Sequence, residues 1–277
     1  MAQHAIDTLI FDIDDTLYPS ECGFTAHRNG EIVQDYMVAH CGFATRPEAK
    51  ACRDKYFALC HSTMKSLILA AADGALPAGK GCLDAPTPSL DEWWTSRCDF
   101  ERFLLPAVEP PLLLALGELK AAGLKLVIFT NAPRQYALRV LETLQLRQFF
   151  DDANIFGVDD VIAGTGGACK PQAAAFEFVL KGCGSAAGRS IMFEDSMKNI
   201  RGCAALGIGT VLLTGTGGAQ TSVAAGAAES FEARPGVSEE DMPNWDDAAV
   251  DAALRTCGEM KALLPCLWEG QWPPAKQ

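Results

Sequence analysis

The hydrophobic positions of this 277-residue chain fall into short, nearly continuous apolar runs separated by segments with helical spacing. The first run covers residues 5–13 and ends at an acidic cluster. Similar runs occupy residues 124–129, 190–193 and 209–213, and residues 154–158 form a further candidate strand. Short continuous runs of this kind are typical of strands buried on both faces of a sheet.

Segments with helical spacing lie between these predicted strands. They cover residues 111–122, 134–147, 171–182 and 196–206, and Gly123 follows the first of them as a C-terminal cap. Strands that alternate with helices indicate a parallel sheet with helices on both faces. We therefore predict an α/β fold with a doubly wound parallel sheet.

One long segment interrupts the alternation. Residues 20–108 lie between the first two predicted strands and show only helical patterns, for example at 30–40 and 48–71. We therefore predict two lobes, with an all-helical cap inserted at residues 20–108. The α/β catalytic core is then formed by residues 1–19 and 109–277.

Three further segments lie outside this alternation of strands and helices. Residues 73–89 are rich in Gly and Pro, and residues 215–235 are rich in Gly, Ala, Thr and Ser. We interpret the second of these as a loop with a short strand near Ser230 and Phe231. Residues 246–264 are predicted to form a closing helix.

The balance of charge restricts the classes of partner. The formal net charge is -12 and the isoelectric point is about 4.8, whereas nucleic acid and anionic lipid attract clustered Lys and Arg. We therefore expect neither a nucleic-acid polymer nor a membrane as a partner. An anionic substrate has to be held by a few local cations, a metal ion or helix N-termini, because the field of the whole chain repels it.

The cysteines indicate a reducing compartment. None of the eleven Cys residues forms a CxxC pair, and no signal peptide precedes the first apolar run, so free thiols are expected. Cys52, Cys60 and His61 raise the alternative of a zinc site, but their spacing matches no common zinc motif. No apolar segment is long enough to cross a bilayer. We predict a soluble cytoplasmic protein, with the nucleus or an organelle as alternative locations.

Two carboxylates follow the first predicted strand. Asp12 and Asp14 lie two positions apart, and both face one cavity if the chain turns after Ile13. One carboxylate can then attack phosphorus, while the second protonates the leaving oxygen and later deprotonates the hydrolytic water. The alternative is an acidic turn that caps a helix.

A second acidic pair follows the strand at residues 190–193. Neighbouring carboxylates repel one another unless a cation neutralises them, and Mg²⁺ prefers oxygen ligands. We predict a magnesium site formed by Asp12, the backbone carbonyl of Asp14, and Asp195 with or without Glu194. The alternative for Glu194 and Asp195 is an ordinary helix N-cap.

Donors for a phosphate group are expected at two other places along the same edge. Lys170 precedes Pro171, which we interpret as the first residue of the next helix, so its ammonium can reach the crevice. Thr130 and Asn131 follow the second strand and offer a hydroxyl, an amide and backbone N–H groups to phosphoryl oxygens. The alternatives are a surface Lys and a strand-to-helix turn with Asn as its cap.

Four motifs occur in one order along the core: FDIDDT, FTNA, CKP and FEDSMKN. In this order the chain resembles the haloacid dehalogenase-like (HAD) hydrolase superfamily, from residue 6 to about residue 214. The resemblance implies a Rossmann-like core, Mg²⁺ as cofactor and an aspartyl-phosphate intermediate. It further implies that Asp12 is the nucleophile, Asp14 the acid/base, Thr130 and Lys170 catalytic phosphate ligands, and Glu194 with Asp195 the metal-binding acids.

Asp14 also bears on the reaction type. The dehalogenase members of the superfamily lack an acidic residue two places after the nucleophile, so the resemblance implies phosphate rather than carbon–halogen chemistry. The segments DDTLYP, FTNAPRQYALRVL and ALLPCLWEG are similar to the pyrimidine 5′-nucleotidase branch of plants and fungi. This chain departs from that branch at Tyr136, where many members carry His, and in the cap around residues 55–64.

We therefore predict a magnesium-dependent phosphomonoesterase that converts UMP or CMP to nucleoside and phosphate, acting on a small molecule as a monomer or homodimer. The enzymatic alternatives are a phosphatase for phosphoglycolate or a sugar phosphate, and a phosphomutase. The alternative outside enzymes is a catalytically silent regulatory or binding protein on the same fold.

Several cap and core residues are candidates for contacts with the leaving group. Arg28, Arg97 and Arg134 are candidates for contacts with an anion or a base, and Arg134 is closest to a motif. Trp93 and Trp94 can stack on a nucleobase, although adjacent Trp residues in a helix more often pack with one side chain inward.

Overall fold

The apolar runs form a parallel sheet at the centre of the structure, a computed structural model that describes residues 6–84, 87–215, 242–269 and 272–273. Within these residues the sheet has six strands, all parallel. They are β1 (Thr8–Phe11), β2 (Lys125–Phe129), β3 (Ile155–Phe156), β4 (Ser190–Glu194), β5 (Gly209–Leu213) and β6 (Ala252–Leu254). The predicted α/β class with a parallel sheet is confirmed.

The order of the strands places the first one at the centre of the sheet. The order is β3-β2-β1-β4-β5-β6, so the chain winds first to one side of β1 and then to the other. Phe11 lies in register with Ile128 of β2 and with Phe193 of β4. The residues that follow these positions therefore emerge side by side at the carboxyl edge, where α/β sheets bind ligands.

The regular elements between β1 and β2 are all helical in the part of this segment that the structure describes. Up to residue 108 the α-helices are α1 (Phe24–His27), α2 (Val33–His40), α3 (Arg46–Cys60), α4 (Thr63–Ala72), α5 (Leu90–Arg97) and α6 (Phe100–Leu104), with a π-helical turn at Arg28–Ile32. The continuous helix predicted for residues 48–71 is in fact two helices. His61 adopts a left-handed conformation with φ 50°, and Ser62 then caps α4 by accepting a hydrogen bond from the N–H of Lys65.

The other α-helices of the described residues lie before or after the core strands β2 to β6. They are α7 (Pro110–Ala121), α8 (Arg134–Thr143), α9 (Val158–Thr165), α10 (Ala173–Cys183), α11 (Met197–Ala205) and α12 (Met260–Leu263). Helices α5 and α6 of the insertion pack on α8. The limits of the cap at residues 20–108, and of the core at 1–19 and 109–277, stay a prediction.

Two predictions about the core are wrong. Pro171 is not the first residue of α10, because a turn in which the N–H of Gln172 donates to the carbonyl of Cys169 delays the helix to Ala173. Residues 246–264 do not form one closing helix. Ala252–Leu254 instead pairs with β5 and extends the sheet, and only Met260–Leu263 is α-helical. The strand predicted near Ser230 lies outside the described residues.

Both faces of the sheet are covered by apolar side chains. Leu9 and Phe11 point to the side of α7 and α8, whereas Ile10 points to the side of α9 and α10. This burial on both faces explains why the strands are continuously hydrophobic rather than alternating. Among the described residues, no helix combines the length and the apolar character needed to cross a membrane.

Candidate active site

The carboxyl edge of the sheet brings together residues that are far apart in sequence. The N–H of Asp12 donates to the carbonyl of Phe193, and the N–H of Thr130 donates to the carbonyl of Phe156. These bonds continue the parallel pairing by one residue beyond β1 and β2. Asp12, Thr130 and Glu194 therefore lie at one edge, as the sequence predicted.

Three carboxylates converge at this edge. Oxygen atoms of Asp12, Glu194 and Asp195 all lie within 4.8 Å of one another. Burial and the neighbouring charge of Glu194 raise the pKa of Asp12 well above its ordinary value, although Lys170 opposes this shift. The carboxyl group of Asp14 is not a member of this cluster.

Lys170 is a cation that faces the cluster. Its Nζ lies 3.0 Å from Oδ1 of Asp12 and 2.6 Å from Oε2 of Glu194, and its side chain is fully buried. Burial lowers the pKa of Lys170, but the two carboxylates raise it by more, so the ammonium form is retained. The predicted approach of Lys170 to Asp12 is thus confirmed, even though the helix starts later than expected.

The side-chain amide of Asn131 has a different task from the one predicted for it. Its Nδ2 donates to the carbonyls of His61 and Lys170, at 3.2 and 3.0 Å, and its Oδ1 accepts from the N–H of Lys170. Both amide hydrogens are therefore used within the protein. The side chain of Asn131 holds the Lys170 loop and the cap turn in place, and it has no donor left for a phosphoryl oxygen.

Thr130 keeps a donor directed at the site. Its Oγ1 accepts the N–H of Ala132 at 3.0 Å, which leaves the hydroxyl hydrogen available. The residue is 1% exposed and lines the cavity. This arrangement agrees with the sequence prediction of Thr130 as a hydroxyl donor.

The carboxylate of Asp14 is surrounded by three donors. The hydroxyls of Tyr18 and Tyr136 donate to Oδ1 at 2.5 and 2.7 Å, and Nη1 of Arg28 donates to Oδ2 at 2.6 Å. Both tyrosines are buried. Sequence reasoning did not identify either of them as a site residue. Tyr18 follows Asp14 by four positions in the turn after β1 and was accessible to such reasoning, whereas Tyr136 meets Asp14 only through the tertiary fold.

Arg28 lies against two neighbouring aromatic rings. Its Cζ is 4.8 Å from the ring centroid of Trp94 and 4.7 Å from that of Tyr136, and the residue is 6% exposed. A guanidinium stacked in this way keeps its charge in a site that excludes most water. Arg28 lines the cavity, as the sequence analysis considered for an anion contact.

The other two arginines do not reach the cavity. Arg134 donates to the carbonyls of Ile155 and Asp152 and pairs with Asp160 at 3.4 Å, so its guanidinium braces the segment around β3. The structure therefore places Arg134 outside the cavity lining, and this position does not support the predicted contact with substrate. Arg97 is exposed and stacks on Trp93, with Cζ 4.8 Å from that ring.

The tryptophan pair does not offer a free stacking surface. Trp93 donates its indole N–H to the carbonyl of Ile32 and packs against Tyr36 and His40. Trp94 is 2% exposed and is covered by Arg28 and Tyr136. Nucleobase stacking on either ring is therefore not supported.

Residues of the core and of the helical insertion enclose a cavity of about 180 Å³. The core contributes the acidic cluster together with Thr130 and Asn199, and the insertion contributes Arg28, Phe57 and His61, among others. The hydroxyl of Ser62 donates to the carbonyl of Asn131 at 3.0 Å, which ties the two parts together at the rim. A small molecule in this cavity touches both parts of the protein.

The acidic cluster fits a hard divalent cation. Its donors are all carboxylate oxygens, which suit Mg²⁺, and the buried ammonium of Lys170 offsets only part of their charge. Burial, and after it the charge of Glu194, raises the pKa of Asp12, and a bound cation would favour the ionised form of this carboxyl group. Asp12, Glu194 and Asp195 are therefore the residues that can hold a metal ion here.

Solved structures with the same architecture include a phosphate complex and a dehalogenase. CbbY from Rhodobacter sphaeroides, in complex with phosphate, aligns with a TM-score of 0.54 and 18% identity over 92% of this chain and 96% of that chain. L-2-haloacid dehalogenase from Xanthobacter autotrophicus aligns with a TM-score of 0.52 and 13% identity, over 94% and 98%. At these identities the likeness shows the fold alone.

The sequence comparisons define the family. A search of the curated proteins gave no significant match. A family model described as haloacid dehalogenase-like hydrolase matches residues 6–207, a range that extends from the start of the sheet through α11. This chain therefore belongs to the haloacid dehalogenase-like hydrolases.

Proposed function

We propose that this hydrolase is a magnesium-dependent phosphomonoesterase that acts through a phosphoryl group on Asp12. The observation that carries the proposal is the position of Asp12 between a buried ammonium and an acidic cluster. Lys170 lies 3.0 Å from its Oδ1, and Glu194 and Asp195 complete the cluster. A carboxylate held in this way suits nucleophilic attack on phosphorus, because the phosphoryl oxygens meet fixed positive charge.

In the first step an oxygen of Asp12 bonds to phosphorus, and the bond from phosphorus to the ester oxygen breaks. Asp14 gives a proton to the departing oxygen. In the second step Asp14 takes a proton from water, the water oxygen bonds to phosphorus, and the bond to Asp12 breaks. Lys170 and the Thr130 hydroxyl bind the phosphoryl oxygens throughout.

The metal would be held by Asp12, Glu194 and Asp195, with the carbonyl of Asp14 as a further predicted ligand. When bound, Mg²⁺ neutralises charge on the phosphoryl oxygens and on the nucleophile. Asp14 supports phosphate chemistry over dehalogenation, since the second carboxylate is needed to protonate an alkoxide but has no role in releasing a halide.

The substrate proposed from sequence is a pyrimidine nucleoside monophosphate. Its support is the resemblance of the motifs to the nucleotidase branch, and the packing of Trp93 and Trp94 within the protein adds nothing to it. A small acidic metabolite phosphate is the second candidate. The observation that favours it is the small cavity with Arg28 in its wall.

The test is phosphate release from UMP, CMP, AMP, GMP, phosphoglycolate, sugar phosphates and an aryl phosphate, with Mg²⁺ and with EDTA. We expect turnover that requires Mg²⁺ and that Asp12→Asn abolishes without loss of the fold. Asp14→Asn should slow both steps and allow the phosphorylated protein to be detected by mass spectrometry. Turnover that persists in Asp12→Asn would refute the mechanism, and no turnover of any ester would favour the binding-protein alternative.

A further inference from the structure

Asn131 lies between the loop that carries Lys170 and a turn of the helical insertion. Its side-chain amide bonds to the backbone of Lys170 at two points and to the carbonyl of His61. Its own carbonyl accepts a hydrogen bond from the hydroxyl of Ser62 at 3.0 Å. His61 and Ser62 belong to the cap turn, residues 60–65, which joins α3 to α4. One residue of the core thus connects the backbone of Lys170 to the cap turn.

Two further hydrogen bonds join the cap turn to the Lys170 loop. The thiol of Cys169 donates to the carbonyl of Cys60 at 3.3 Å. Nζ of Lys65 donates at 2.8 Å to Oε1 of Gln172, which also accepts the N–H of Cys169 at 3.1 Å. These contacts lie before and after Lys170 in sequence. A shift of the cap turn therefore acts on the Lys170 loop from both sides.

The ammonium of Lys170 has little freedom to compensate for a shift of its loop. Its side chain is fully buried, and its Nζ contacts both Asp12 and Glu194. Misplacement of a catalytic group by about 1 Å can lower a rate by about 100-fold. The position of the cap turn therefore affects where the positive charge meets the phosphoryl group, and a fixed charge at this point stabilises the transition state.

We infer that Asn131 is a positioning residue, through which docking of the cap turn places the ammonium of Lys170 for phosphoryl transfer. This inference rests on the proposed phosphatase function, and it gives the insertion a task in addition to enclosing the substrate. In that function Lys170 contacts the phosphoryl group and not the leaving group. Weakening the joint should therefore slow every ester by a similar factor, mainly through kcat.

The experiment weakens the joint from the cap and from the core. Lys65→Met removes the bond to Gln172 at a residue that does not line the cavity, and Asn131→Ala removes the bridging amide. We measure kcat and KM for the preferred ester of the panel and for the aryl phosphate. We expect kcat to fall about 3- to 10-fold in Lys65→Met, as for one lost hydrogen bond, and about 10- to 100-fold in Asn131→Ala. The factor should be the same for both esters.

Lys50→Met is the matched control for Lys65→Met. Lys50 is also a lysine of the insertion, but it pairs with Asp54 of its own helix α3 and not with the core. This variant should keep the kcat of the wild type. Thermal melts of all three variants show whether each is folded under the assay conditions.

The effect of Lys65→Met on kcat decides the question, even where Asn131→Ala fails to fold. A wild-type kcat in Lys65→Met would overturn the inference and leave the phosphatase proposal intact. A rise in KM alone would also overturn it, because that result reflects only the loss of a positive charge that attracts the substrate. A fall in kcat that differs between the two esters would indicate an effect on the leaving group instead. No turnover of any ester by the wild type would overturn both proposals.

Discussion

Lys170 and Glu194 form an ion pair from which solvent is fully excluded, with Nζ 2.6 Å from Oε2. The same ammonium lies 3.0 Å from Oδ1 of Asp12, so one cation forms ion pairs with both the proposed nucleophile and a proposed metal ligand. Buried ion pairs add little stability compared with well-packed apolar residues. The position of this pair at the carboxyl edge of the sheet is therefore better explained by chemistry than by folding.

The stability of Lys170 variants tests this view. Lys170→Met should destabilise the protein by about 3–5 kcal/mol, because it leaves the buried carboxylate of Glu194 without a counter-charge. The double variant Lys170→Met with Glu194→Gln should recover part of that loss in urea unfolding, since only the Asp12 carboxylate is then left without the ammonium. It should remain inactive. Equal destabilisation of the single and double variants would show that the charge is not the cause.

Binding of Mg²⁺ should stabilise the folded protein in the absence of substrate. The metal relieves repulsion in the acidic cluster, and at about ten times its dissociation constant it adds roughly 1.4 kcal/mol, or a rise of a few degrees in Tm. Thermal melts with MgCl₂ and with EDTA measure this rise. Asp195→Asn should lose most of it, whereas Asp151→Asn, a change at an exposed loop carboxylate, should keep it. The same rise in both variants would argue against a site at Asp195.

The hydroxyl of Tyr136 should affect catalysis more than folding. Tyr136→Phe removes one donor from Asp14 but keeps the ring that packs against Phe24 and Trp94. We expect kcat to fall about tenfold or more, in the range of losses at acid/base sites, with a small change in Tm. Tyr36→Phe is the control, because Tyr36 is equally buried but donates to the carbonyl of Pro88, away from the cavity. Equal kcat values for the two variants would contradict a role for the Tyr136 hydroxyl.

The contact between α5 and α8 gives the protein a pH-dependent stability. Asp91 accepts the N–H of Tyr136 at 2.9 Å, and burial raises the pKa of Asp91 to about 6, compared with about 3.9 in an unfolded chain. At a pH between these two pKa values, Asp91 is mostly protonated in the folded protein, whereas it is mostly ionised in the unfolded chain. Asp91 therefore contributes stability below about pH 4 that is lost as the pH rises through about 6.

Urea unfolding of the wild type and Asp91→Asn from pH 4.5 to 7.5 checks this dependence. The unfolding free energy of the wild type should fall relative to that of the variant by roughly 1 kcal/mol as the pH rises, after allowance for the partial exposure of Asp91. A difference that stays constant, or that grows with pH, would show that this carboxyl group does not titrate as described.

The sequence by itself was sufficient to predict the parallel sheet of the core and the residues that meet at its carboxyl edge. Continuous apolar runs of four or five residues separated by helical segments allow little except a parallel sheet covered on both faces. Once the strands are parallel, residues at their carboxyl ends must meet. This is why the pattern of strands and helices alone groups Asp12, Thr130 and Glu194 at one edge.

In the segment after β5, the local sequence pattern predicted a helix where the structure has the strand β6. Residues 252–254 have no strong preference for strand, and helical spacing extends through them. Pairing with β5 decided the outcome, because this contact satisfies backbone groups at the sheet edge that a local helix would leave open.

Only the tertiary structure decided which donors surround Asp14 and which residues turn away from the cavity. Tyr136 is 122 positions from Asp14 in sequence, and Arg134, two residues earlier on the same helix, points instead to the carbonyls near β3. Sequence places both at the start of α8, but side chains two positions apart on a helix point in different directions. The direction in which each side chain leaves its helix, and what packs there, are long-range properties of the fold.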